Sequence, residues 1–182
     1  LPNEYKAFLL RHNGGRPRPN AFPIQGLPNN PFGVIQVFFG IDDPVESCNL
    51  DWNIKTLNAR LPANLFPIAC DDGGDIVCLS LFGDDAGSVL FWDCYNEPGE
   101  PSYANVYRIA ESFTAFIEGL RPLPERRNLS ELQTFLENFI DPTSVSVVLQ
   151  HHVEGATTRC GADGVEHATT YGIRPWEVML QK

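Results

Sequence analysis

The residues best placed to do chemistry are carboxylates. Asp71, Asp72 and Asp75 surround Gly73-Gly74, and Asp84-Asp85 sit between Gly83 and Gly87. Such clusters could chelate Ca²⁺ or Mg²⁺ through oxygen ligands. A calcium loop, however, needs acids at alternate positions before the glycine and a later Glu, and neither run has them. Asp and Gly are also ordinary turn formers, which explains the residues without a metal. His151-His152 would point to opposite faces of a strand or lie ~100° apart on a helix, so they build no chelating face. Cys160 and His167 add no ligand spacing. Cys94 follows Trp92-Asp93, and a relay with His12 is conceivable in space, but a small buried thiol is the simpler reading. No GxSxG, P-loop, GxGxxG or HExxH occurs. The sequence therefore names no catalytic residue, metal site or cofactor site, and the enzyme reading survives only as a small metal-dependent hydrolase assembled from distant residues.

Charge is more informative. The 182-residue chain carries a net charge of −10. Residues 40–100 hold twelve acids against Lys55 and Arg60, which accounts for the whole imbalance; the rest of the chain is balanced. Such a field repels nucleic acid and anionic lipid and speeds association with a basic partner. Arg11, Arg16 and Arg18 are too few for a phosphate-tracking stripe. The expected partner is a basic protein, with neither nucleic acid nor membrane; oligomeric state is open. Loops simply solvated by Asp are the plainer alternative.

These carboxylates must be held by a folded scaffold. Hydrophobic residues make up 43% and charged residues 20%, ordinary for one globular core of this length. No apolar run reaches the ~20 residues of a membrane-spanning helix. Five cysteines without a CxxC pair (Cys48, Cys70, Cys78, Cys94, Cys160) favour a reducing, cytoplasmic setting. The chain opens Leu1-Pro2 without Met, so a preceding stretch is expected.

Tyr5, Phe8, Leu9 and His12 share one face of a helix over Pro2–His12, which Gly14-Gly15 can stop. Arg16–Pro31, with five prolines, reads as an ordered loop or edge segment. Val34–Phe39 is a central strand, and Leu50, Ile54, Leu57 and Leu61 predict a helix over Cys48–Leu61. Phe66-Pro67-Ile68-Ala69 leads into the Asp71–Asp75 turn. Ile76–Phe82 and Val89–Cys94 flank a Gly/Asp loop as a hairpin, and Tyr103–Ala110 is a further strand. Ser112 opens a helix with Phe113, Phe116, Ile117 and Leu120 inward. Leu123–Asn128 reads as a boundary. Beyond it, Ser130 and Gln133 resemble a capping box for a helix burying Leu132, Phe135, Leu136 and Phe139. Val145–Leu149 fits strand or helix, Thr157–Gly172 is polar, and Pro175 opens a short helix candidate.

Four segments, in order, resemble the SUKH superfamily, which contains bacterial toxin-immunity proteins and the fungal Smi/Knr regulators of cell-wall synthesis. They are Leu1–Gly15, the aromatic strand end Phe38-Phe39-Gly40, the hairpin Phe66–Ser80 with Val89–Asp93, and the closing helix Ala110–Leu120. Where many members read Trp-Asp-His, this chain has Trp92-Asp93-Cys94. The resemblance implies an α+β fold, with helices against a mostly antiparallel twisted sheet over residues 1–122 and a C-terminal extension over 123–182. It also implies a non-catalytic, protein-binding role: an immunity protein neutralising a toxin, for instance a nuclease, or alternatively a regulatory or scaffolding adaptor. Joined to the charge pattern, it nominates Asp71, Asp72, Asp75, Asp84, Asp85 and Asp93 as a partner-binding acidic surface.

Overall fold

A computed structural model describes residues 1–27 and 31–123. The expected Ser130 helix, the Val145–Leu149 and Pro175 segments, His151, His152, Cys160 and His167 lie outside the described residues. Among the described residues, six strands follow one another across an antiparallel sheet in chain order: β1 (Ala21–Pro23), β2 (Phe32–Phe38), β3 (Leu65–Asp71), β4 (Ile76–Ser80), β5 (Val89–Trp92) and β6 (Val106–Ala110). With helices α1 (Asn3–His12), α2 (Leu50–Leu57) and α3 (Phe113–Gly119), this is an α+β fold. Leu1–Gly26 and Phe32–Leu123 pack as one compact unit.

All five residues of β4 and all four of β5 are buried, so both faces of the central sheet are covered. Successive strand residues point to opposite faces. Phe91 accordingly joins an aromatic layer on one side, 6.0 Å from Phe22, which lies 5.5 Å from Phe116 of α3. Tyr5 and Phe8 of α1 extend that layer, with ring centroids 5.2 Å and 5.3 Å from Phe113 and with Phe8 5.0 Å from Phe38. Trp92, next along β5, packs on the other side beneath the Arg60 guanidinium, 5.0 Å away. Arg60 forms a two-pronged pair with Glu97, at 3.0 Å and 2.6 Å.

Local chemistry sets the element ends. Asn49 caps α2 by accepting from Trp52 N at 3.0 Å, and Ser112 caps α3 by accepting from Ala115 N at 3.1 Å. After α1, Gly14 turns the chain at φ +86°, where a Cβ would stand 2.7 Å from Phe38 O. Only glycine fits there. The next residue, Gly15, then pairs with Phe38 through both backbone groups.

Several boundaries differ from the sequence expectation. Leu65–Asp71 is a full strand despite Pro67, because the register shifts between Pro67 and Ala69 and so accommodates the missing N–H. The proline-rich segment contributes β1, whose Ala21 pairs with Arg121 just past α3. The second helix ends at Leu57, although Leu61 is still buried where the periodicity places it. The last strand starts at Val106, three residues past an exposed Tyr103.

Candidate functional site

The β3–β4 turn is built around its own carboxylate. Asp71 Oδ1 accepts from Gly73 N at 2.8 Å and from Asp75 N at 2.9 Å. Asp75 Oδ1 reaches the next strand connection and accepts from Cys94 N at 2.9 Å. Tyr95 closes the gap from the other side, its hydroxyl donating to Gly73 O at 3.0 Å. Asp93 accepts from Tyr95 N at 3.1 Å and from Asn96 Nδ2 at 2.7 Å, while Asn105 Nδ2 donates to its carbonyl at 2.7 Å. Two chain reversals, 71–75 and 93–96, are thereby tied into one network.

The carboxylates of that network lie in the interior. Asp71, Asp75 and Asp93 are 3%, 1% and 0% exposed. Burial first, then the nearby charge of Asp75, pushes the Asp71 carboxyl up to about 7, against the opposing pull of the two backbone N–H groups. Burial and Asp75 likewise raise the half-buried Cys94 thiol. Cys70 is pushed up to about 12, again chiefly by burial. A thiol held protonated is a poor nucleophile. Cys94 is bound to Asp75, whereas His12 stacks on Phe8 of α1, 5.3 Å between ring centroids, so no described contact joins them as a relay.

Three of the six nominated docking acids therefore cannot meet a partner directly: Asp71, Asp75 and Asp93 point inward and hold backbone. Net charge counts carboxylates without regard to direction. The spacing of Asp71 to Gly73 and of Asp93 to Tyr95, an acid two residues before the amide it binds, is the sequence signal for this inward role. Asp72 and Asp84 are exposed and Asp85 half-buried, but they do not share one patch. Asp72 follows β3 and Asp84-Asp85 follow β4, at opposite ends of that five-residue strand. At about 3.4 Å per residue, about 17 Å of strand separates them.

Carboxylates counted in the charge but not nominated prove better exposed. Asp42, Glu46 and Asp51 all face solvent, between the end of β2 and the first turn of α2. Asp43 beside them is half-buried, and its Oδ1 accepts from Val45 N at 2.9 Å.

A meandering antiparallel sheet with helices packed against it defines an α+β scaffold. Residues 1–119 match the SMI1/KNR4 family (SUKH-1), and the chain belongs to that family, whose members are often toxin-immunity proteins. Similarity also extends to the SPbeta prophage-derived uncharacterized protein YokK of Bacillus subtilis (strain 168), 29% identical over 135 residues. The aligned region covers 66% of this chain and 66% of that protein, just under two thirds of its length. No helix among the described residues is long and apolar enough to cross a membrane.

Proposed function

We propose that the protein is a non-catalytic immunity protein of the cytoplasm that neutralises a basic toxin domain, a nuclease being the best match, by docking an acidic surface onto it. One observation carries this reading. The whole charge excess falls in residues 40–100, and nine of the twelve acids there reach the surface fully or in part after folding. A nuclease cleft that holds phosphate is basic, and a rigid acidic domain can occupy it by presenting the field its substrate would. Asp72, Asp84 and Asp85 remain docking candidates. Asp71, Asp75 and Asp93 shape the two chain reversals from inside.

The test is co-production with any toxin domain found encoded beside the gene, followed by kinetics with the purified pair. Growth should be restored, nuclease activity should fall in a one-to-one mixture, and the association rate should drop steeply with added salt. An association rate indifferent to ionic strength contradicts the charge-based account. Capture of a non-toxic regulatory partner would favour the adaptor role.

A further inference from the structure

Beyond β2 the chain forms a closed loop with its ends bonded together. Gly40 N donates to Cys48 O at 2.9 Å, and Leu50 N donates to Gly40 O at 2.8 Å. Asn13, at the end of α1, holds Ile41 twice: its Nδ2 donates to the carbonyl at 2.9 Å and its Oδ1 accepts from the amide at 2.8 Å. Asn49 Nδ2 donates to Asp43 O at 3.0 Å while its Oδ1 caps α2, and Asn53 Nδ2 reaches back to Ser47 O at 3.1 Å. Side chains on both flanks thus fix this backbone before any partner arrives, which lowers the ordering cost of binding.

On this frame three large apolar side chains face solvent. Ile41 is 47% exposed, Val45 54% and Trp52 39%. Asp42, Glu46 and Asp51 stand among them, and no Lys or Arg occurs between Gly40 and Lys55. Single exposed apolar residues are normal. Three on one short, hydrogen-bonded segment, including a Trp and interleaved along it with carboxylates, have the composition of an interface, aromatic and apolar residues with charged neighbours. Two copies of this chain would bring like charges together, so complementarity selects an occupant of opposite sign.

We infer that the Gly40–Trp52 outcrop is the docking surface for a basic protein, with Trp52 and Val45 entering an apolar recess that is flanked on the partner by Lys or Arg. This rests on the binding role proposed above and specifies where it occurs. The β4–β5 loop, with exposed Phe82 beside Asp84 and Asp85, carries two of the acids kept as docking candidates above but fewer carboxylates than this segment, and is the rival surface against which the assignment is tested.

The experiment places the photo-crosslinking residue p-benzoylphenylalanine singly at Val45, Trp52, Phe82 or Tyr95 of the full chain, in the native cells. The expected result is crosslinking from positions 45 and 52 to one identified polypeptide of basic surface. With that partner purified, Trp52→Ala should weaken affinity about 100-fold and Phe82→Ala less than about twofold. Glu46→Lys, a charge reversal at an exposed side chain, should slow association about tenfold at low salt, independently of packing. Crosslinks from Phe82 or Tyr95 alone overturn the assignment of the surface while leaving the binding role intact. Crosslinks to a second copy or to an acidic protein overturn the partner chemistry. Silence at all four positions counts against the binding role itself.

Discussion

Replacing Asp71 by Asn should remove a pH dependence built into the β3–β4 turn. Asp71 Oδ1 accepts from both Gly73 N and Asp75 N, and an amide oxygen can do the same. The carboxyl sits at about 7 in the fold against an ordinary 3.8. Below 3.8 both folded and unfolded chains hold the proton, so the fold suffers no penalty. Between 3.8 and about 7 the folded chain keeps a proton that the unfolded chain has released. Stability therefore falls as pH rises through this window and levels off above it. Each pH unit of the window is worth about 1.36 kcal/mol, so ionised Asp71 destabilises the fold by about 4 kcal/mol in all, about 3 kcal/mol of it between pH 5 and pH 8. Because Asp75 is one cause of the raised value, the slope belongs to the pair rather than to one carboxyl. The assay is denaturant unfolding of the wild type and Asp71→Asn at pH 5, 6, 7 and 8. The difference between them should widen in favour of the variant by about 3 kcal/mol across that range. Asp71→Ala separates hydrogen bonding from charge: it leaves two turn amides without their acceptor and should lose about 2 kcal/mol at pH 5. A wild-type-minus-Asn difference that stays flat from pH 5 to pH 8 would refute the account of a buried, raised carboxyl.

Three further outcomes test the scaffold. Tyr5 Oη is buried without a hydrogen-bond partner among the described residues, so Tyr5→Phe should leave thermal stability unchanged or raise it by about 1 kcal/mol; a loss of that size would reveal a bond to the hydroxyl. Asn49 caps α2 and holds Asp43 O, and Asn49→Ala should cost about 1–2 kcal/mol in urea unfolding, with Asn49→Asp recovering the cap but not the bond to Asp43. Gly14→Ala should be destabilising by about 2 kcal/mol, since a Cβ would meet the backbone of Phe38 and Gly40 within 3 Å at a positive φ; a calorimetric midpoint equal to wild type would contradict it.

Tyr5 and Leu9 on α1, Leu50, Leu57 and Leu61 around α2, and Phe113 and Phe116 on α3 are inside where helical spacing places them. Ser112 caps the helix it precedes. The β4–β5 hairpin is equally legible, because turn residues between two β-rich runs are a local signal. β3 is harder to read, since Pro67 argues against an interior strand until a neighbour with a shifted register accommodates it. The candidate site divides in the same way. Acid count and position along the chain are properties of sequence. Whether Asp71 turns inward to hold two amides, or Asp72 one residue later faces water, depends on which backbone groups the turn leaves to be satisfied.

By itself the sequence determined the helices, the hairpin, the family scaffold and the confinement of negative charge to one third of the chain, because each depends on neighbours a few residues apart or on simple counting. Tertiary structure alone decided that Asp71, Asp75 and Asp93 belong to the interior, that Asp72 and Asp84 stand at opposite ends of β4, and that Ile41, Val45 and Trp52 share one exposed, hydrogen-bonded segment. Burial and proximity arise when distant segments close on one another: Asn13 onto Ile41, and Asp75 onto Cys94.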